Sequence, residues 1–172
     1  MICLNGMENL NMHFNDKGYT LIELLVTIAI LGILAAVGMP SYINMTTSMR
    51  MSAEINALSN SLNFARTEAM KRGSTTSVCP VSSGACSTSN SWSGGWSTYL
   101  NSSSTQLSIV PSLTHGDTLT STLTSTPQFN PAGYTFFTGN ITLHDVNNTI
   151  SMRRCVSFSS GAWKVDKGSS CP

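Results

Sequence analysis

The sequence predicts an α+β fold in which one long N-terminal helix precedes many short strands. Three observations carry this. No charged residue occurs from Leu24 to Met39. Beyond Pro40, the residues Met51, Ile55, Leu58, Leu62, Ala65 and Ala69 step by 4, 3, 4, 3 and 4. From Ser74 onward Ser, Thr, Asn and Gly dominate, and short β-rich runs replace the helical periodicity. A single helix followed by a series of strands is an α+β pattern.

The first half of the helix reads as a membrane span. Adding Tyr19–Ile22 to the uncharged run gives about 20 residues, enough for one crossing of the hydrocarbon core. The segment Met1–Gly18 is mostly polar, and no small-x-small cleavage site follows the apolar core. A secretory signal peptide has the opposite flanks, so the apolar helix is expected to be retained. Glu23 sits just inside its start. A carboxylate at that depth costs roughly 2.5–3.5 kcal/mol on insertion scales. Either it snorkels to the membrane surface or it meets a partner charge.

The second half reads as amphipathic. The 4-3-4-3-4 stripe places six apolar residues on one helix face, the face on which a sheet is expected to pack. Gly73 is a natural stop, and Lys71 and Arg72 are well placed against the helix dipole. Pro40 can kink the helix without ending it.

Eight runs read as strands: Thr75–Cys79, Trp96–Leu100, Gln106–Val110, Thr118–Leu123, Tyr134–Thr138, Ile141–His144, Thr149–Phe158 and Ala162–Val165. Turn signals separate them at Ser93-Gly94-Gly95, Asn130-Pro131-Ala132-Gly133 and Asn147-Asn148. The Ser-rich stretch Ser87–Ser93 lies beside Trp92, Trp96 and Tyr99, which predicts a packed loop.

Size and charge bound the rest. The chain has 172 residues and a formal net charge of +1. About 130 residues follow the span, enough for one small core. The overall charge argues for no particular partner. The C-terminal stretch is more basic: Arg153, Arg154, Lys164 and Lys167 stand against Asp166 alone.

Of five cysteines, Cys3 precedes the helix and four follow it: Cys79, Cys86, Cys155 and Cys171. An even number on an exported domain reads as two disulfides. Three pairings are possible, and the local one, Cys79–Cys86 with Cys155–Cys171, is expected. The spacings match no common zinc pair, so neither a metal nor a cofactor is expected.

Gly18-Tyr19-Thr20-Leu21-Ile22-Glu23, abutting an apolar run, resembles the processing motif of type IV prepilins. The resemblance implies a leader, 1–18, that prepilin peptidase removes by cutting after Gly18. It also implies N-methylation of Tyr19, where Phe is the common residue, and Glu23 as the fifth residue of the mature chain. Pro40 and Tyr42 fall where the family often has Pro and Tyr. Met7 and Met12 are alternative starts, and Met12 would leave a seven-residue leader. In a fibre, Glu23 of one subunit can pair with the Tyr19 amine of a neighbour, which offsets part of its burial cost and fixes axial register.

The run Phe64-Ala65-Arg66-Thr67-Glu68-Ala69-Met70-Lys71-Arg72-Gly73, then Val78-Cys79-Pro80 and Gly94-Gly95-Trp96, resembles the GspH/FimT family of minor pilins and pseudopilins. The likeness continues more loosely through Arg153-Arg154-Cys155-Val156 and Gly161-Ala162-Trp163-Lys164. It implies a long N-terminal helix packed on a β-sandwich-like pair of antiparallel sheets. The expected segments are 1–18 (leader), 19–40 (transmembrane half of the helix), 41–73 (amphipathic half) and 74–172 (β-rich domain). The implied setting is the bacterial inner membrane, single-pass with a periplasmic C-terminal domain, and a type IV pilus or type II secretion pseudopilus after assembly. The implied partners are prepilin peptidase and other major and minor pilins or pseudopilins.

Two other function classes, a DNA-binding module and an enzyme, find less support in the residues. Some FimT-type members are thought to capture double-stranded DNA through a C-terminal Gly-Arg-x-Arg element. Here that position reads Gly161-Ala162-Trp163-Lys164, and Lys lacks the fork of Arg. Arg153, Arg154, Lys164 and Lys167, with Trp163, are the candidate contacts. Adjacent residues of a strand face opposite ways, so Arg153 and Arg154 do not serve one flat patch. An enzyme is not expected. Only His115 and His144 follow the leader, no G-x-S-x-G is present, and Glu54, Glu68, Asp117, Asp145 and Asp166 are scattered. Asp145, Asn147 and Asn148 lack the ligand spacing of an EF-hand.

Overall fold

The computed structural model describes residues 18–171 except Phe136 and Ser160. The expected leader, 1–18, therefore lies outside the described residues, apart from Gly18. Two compact units divide the chain, one ending at Ser41 and the other beginning at Tyr42. The helix α1 (Leu21–Arg72) contributes to both, and Pro40 lies within it.

In the first unit, the side chains of α1 are exposed throughout. An 18-residue window there reaches a mean hydropathy of 2.5 with none of it buried. A helix this long and apolar, with no protein covering it, meets the length and composition of a membrane span.

In the second unit, α1 buries one face. Met51, Leu58, Leu62, Ala65 and Ala69 are fully buried and Ile55 nearly so. Each large side chain among them contributes roughly 1.5–3 kcal/mol by leaving water. The helix stops at Gly73, whose φ of +60° is the left-handed conformation that glycine adopts without strain. The amide of Ser74 then donates to the carbonyl of Ala69, closing the last turn.

Among the described residues, nine strands form two antiparallel sheets. The first contains β1 (Thr76–Ser82), β2 (Ala85–Cys86), β3 (Trp96–Leu100), β4 (Thr105–Val110) and β6 (Gln128–Phe129). Its order is β2-β1-β3-β4, and β6 pairs with β1 at Thr76 and Ser77. The second contains β5 (Thr118–Ser121), β7 (Gly139–His144), β8 (Arg154–Ser159) and β9 (Ala162–Lys167), in the order β5-β7-β8-β9.

The core joins α1 to both sheets. Val78, Trp96 and Phe129 come from the first sheet and Leu119, Ile141, Leu143, Val156 and Phe158 from the second. Polar contacts fix the register of the helix on the sheets. The Trp96 indole donates to Ser61 Oγ at 2.9 Å, and Thr76 Oγ1 donates to the Ala65 carbonyl at 2.7 Å. Gly95, just before β3, has φ +95°, and a Cβ there would lie 2.3 Å from the carbonyl oxygen of Val110. Only glycine fits, and it lets Trp96 enter the core. The Ser87–Ser93 stretch is packed: Trp92 is buried and its amide donates to the Leu119 carbonyl at 2.7 Å.

Three strand expectations differ from the structure. No described residue of Tyr134–Thr138 is in a strand. The Asn130 side chain accepts from the amides of Ala132 and Tyr134, so the backbone is held in a side-chain-closed turn instead of a ladder. The run Thr149–Phe158 is strand only from Arg154, because a 3-10 turn at Ile150–Met152 occupies its start. There Asp145 accepts from both the amide and the hydroxyl of Thr149, which turns the chain before β8 begins. The two-residue strands β2 and β6 carry too few residues to show an alternation.

Candidate processing and assembly site

Gly18 and Tyr19 precede the first turn of α1, and Tyr19 is 84% exposed. Among the described residues no heavy atom beyond its chain neighbours lies within 4 Å of where a Gly18 Cβ would stand, so none of them crowds the Gly18–Tyr19 bond. Thr20 caps the helix. Its hydroxyl accepts from the Glu23 amide at 3.2 Å, and its carbonyl accepts from the Leu24 amide at 3.2 Å. Glu23 thus occupies the third position of a Thr-x-x-Glu start, where a carboxylate is favoured by the helix dipole. The role of Thr20 was missed from the sequence, although the Thr-x-x-Glu spacing signals it. Glu23 has no ion-pair partner among the described residues.

A few exposed residues at the head of α1 thus carry the Gly18–Tyr19 bond and, one helical turn on, a carboxylate without an ion-pair partner among the described residues. The residues after it in this unit, 24–41, are uncharged, mostly apolar and exposed.

The four later cysteines form two links, Cys79 to Cys86 and Cys155 to Cys171, each with Cα atoms 5.6 Å apart. The first ties the β1–β2 hairpin, and the second fastens the chain end after β9 to β8.

The four basic candidates are not gathered on one surface. Arg154 is only 8% exposed. Its guanidinium donates to the carbonyls of Ser151, Met152 and Arg153 and to the hydroxyls of Ser52 and Ser48. Lys167 stands directly across the β8–β9 ladder from it, and Lys164 is across from Ser157. Positions 164 and 167 differ by an odd number, so they face opposite sides of β9. Lys164 pairs with Asp166 at 3.0 Å. Arg153 precedes β8 and reaches Asn148 Oδ1 through Nη2 at 3.2 Å. Trp163 turns inward, edge-on to Phe129 with ring centroids 5.5 Å apart, and its indole reaches Ser59 Oγ.

A cluster not anticipated from the sequence links α1 to the second sheet. Arg50 holds Asp117, which lies just before β5, through both carboxylate oxygens. That bonding raises the Arg50 pKa. Glu54, one turn along, has a buried Oε2 without a hydrogen-bond partner among the described residues. Burial, then the charge of Asp117, pushes its carboxyl up to about 7, against the opposing pull of Arg50. The i, i+4 spacing of Arg50 and Glu54 beside the buried Met51 and Ile55 was the available signal. At the other end of the helix, the hydrogen bond from Arg72 holds Glu68 below the usual carboxylate range.

The long apolar-to-amphipathic helix set on two antiparallel sheets, with this N-terminal motif, defines a pilin-like subunit. A family model described as type II transport protein GspH matches residues 54–162, and one described as a prokaryotic N-terminal methylation motif matches residues 13–39. The chain belongs to the GspH family, whose members are pilin-like structural subunits, minor pilins and pseudopilins.

Similar proteins agree. The chain is 49% identical over 41 residues to fimbrial protein EcpC of Eikenella corrodens, covering 24% of this chain and 27% of that one. It is 50% identical over 44 residues to the type IV major pilin protein PilE1 of Neisseria gonorrhoeae, covering 26% and 27%. The match thus spans about a quarter of the length of these relatives. Two crystal structures of the type IV minor pilin FimU of Pseudomonas aeruginosa share the fold at 17% identity. In space group P21 the TM-score is 0.57, covering 76% of this chain and 96% of FimU. In space group P65 it is 0.52, covering 74% and 96%.

Proposed function

We propose that this chain is a minor pilin or pseudopilin that prepilin peptidase cuts after Gly18 and that then enters a pilus or pseudopilus, at or near the tip. The observation that carries the reading is the unpaired Glu23 one turn after an open Gly18–Tyr19 bond, at the head of an exposed apolar helix. Before cleavage the helix anchors the subunit in the inner membrane with the β-rich domain in the periplasm. Cleavage creates a cationic amine at Tyr19, which is then methylated. In the fibre this amine pairs with Glu23 of a neighbouring subunit, and the apolar helices pack together.

The charge pair supplies register, because a mismatched subunit would leave a carboxylate buried without a partner. The DNA-capture reading draws less support from the geometry. Arg154 is buried and gives most of its donors to neutral acceptors, and Lys164 and Lys167 face opposite sides, so no flat basic surface forms. Mass spectrometry of the protein recovered from membranes tests the proposal: the expected N-terminus is a methylated Tyr19. Recovery of the chain only with its leader attached would overturn it.

A further inference from the structure

A second feature of the domain has no place in cleavage or helix packing. Arg154 and Lys167 oppose each other directly across the β8–β9 ladder. Like charges at such a position destabilise a sheet. Arg154 is also buried, and neither residue forms an ion pair among the described residues. A buried cation satisfied only by carbonyls and hydroxyls keeps its full charge, and a second cation beside it raises the energetic penalty.

The pair borders a recess between α1 and the end of β9. One part, of about 480 Å³, is lined by Ser52, Arg154 and Lys167 among others. The adjoining part, of about 650 Å³, is lined by Ser48, Arg154, Lys167 and Ser169. Asp166 lies on its rim, but its carboxylate is engaged by Lys164 at 3.0 Å and by the Ser157 hydroxyl at 3.4 Å. Nη2 of Arg154 carries two hydrogens and gives one to Ser48 Oγ, so one N–H is free among the described residues.

We propose that Arg154 and Lys167 form a binding site for a tetrahedral oxyanion, of the phosphate class, in this recess. The free guanidinium N–H and the Lys167 ammonium supply charge-assisted donors from two directions. The hydroxyls of Ser48 and Ser169 line the adjoining part of the recess and can donate to the remaining oxygens. A bound dianion cancels the cross-strand repulsion and gives the buried guanidinium a counter-charge. It also ties α1 to β9 and to the segment that ends in Cys171.

The test uses the full chain in detergent micelles, titrated with inorganic phosphate and, separately, with chloride at equal ionic strength. The Arg154 Nε–H resonance is followed by NMR, and the Trp96 indole N–H reports on the intact fold. The expected result is a saturable shift with phosphate alone. Lys167→Met should weaken it about tenfold while Lys167→Arg retains it, since loss of one charged donor is of that size. Lys167 is exposed, so neither variant should disturb the Trp96 signal. A drift that is the same for both anions, or saturation unchanged in Lys167→Met, would overturn the site. So would a short DNA duplex shifting the resonance where phosphate does not, which would mark a nucleic-acid contact instead.

Discussion

Arg50 grips Asp117 with two hydrogen bonds, Nε to Oδ2 at 2.7 Å and Nη2 to Oδ1 at 3.1 Å, across 67 residues of sequence. The Asp117 side chain is fully buried and that of Arg50 is 24% exposed. This contact pins α1 to the strand that opens the second sheet. Removing one partner of such a pair leaves a buried charge without compensation. Arg50→Ala should therefore destabilise the domain by about 3 kcal/mol. Urea unfolding followed by Trp fluorescence would measure it. The double variant Arg50→Ala/Asp117→Ala should lose less than Arg50→Ala alone, because the orphaned carboxylate is gone.

Glu54, next to this pair, makes stability depend on pH. Its folded pKa is raised to about 7 from 4.5. Between those values the unfolded chain has released the proton and the folded chain still holds it, so the unfolded state binds fewer protons. Stability must then fall as pH rises through the window and level off above it. Allowing for solvent screening of a part-exposed group, the fall should be on the order of 1–2 kcal/mol. Glu54→Gln keeps a donor toward Asp117 at every pH. Its unfolding midpoint should lack that slope between about pH 4.5 and 7.

The sequence made the helix legible because burial follows a 3.6-residue period. All six residues of the stripe are buried. The N-terminal motif was recognisable as a motif, because its residues are adjacent in the chain, and the methylation-motif model matches residues 13–39. The pairing of Arg50 with Asp117 was not, since nothing local links residues 67 apart. Tyr134–Thr138 misled for a physical reason: its composition suits a strand, but the Asn130 side chain takes the amide that a ladder would need. Arg154 could have been placed inward by its alternation with Val156 and Phe158, both buried. A charged residue at an inward position is the kind of exception that composition alone hides.

The two disulfides should differ in worth. They close loops with sequence separations of 7 and 16 residues. In the chain-entropy view, the longer loop restricts the unfolded chain more, giving about 3 kcal/mol against about 2 for the shorter. Cys155→Ser/Cys171→Ser should therefore lower the urea midpoint more than Cys79→Ser/Cys86→Ser. Non-reducing and reducing unfolding curves of the same protein would give the sum of the two effects.

In the proposed function, the N-terminal motif serves cutting and assembly through different residues, and two substitutions should pull these steps apart. Gly18→Ala adds a methyl group where the structure has open space, so the fold should be unaffected. If the peptidase requires a bare backbone at that position, the variant accumulates at the precursor mass on an immunoblot. Glu23→Gln leaves Gly18 and the Thr20 cap in place, so cutting should proceed and the mature mass should appear. It removes the charge that answers the new Tyr19 amine, so the mature subunit should remain in the membrane fraction and be depleted several-fold from sheared fibres. Glu23→Asp keeps the charge on a side chain shorter by one methylene and should recover part of the loss. Normal incorporation of Glu23→Gln into fibres would mean that the carboxylate sits in the helix only as a dipole partner, and the pairing across subunits would fall.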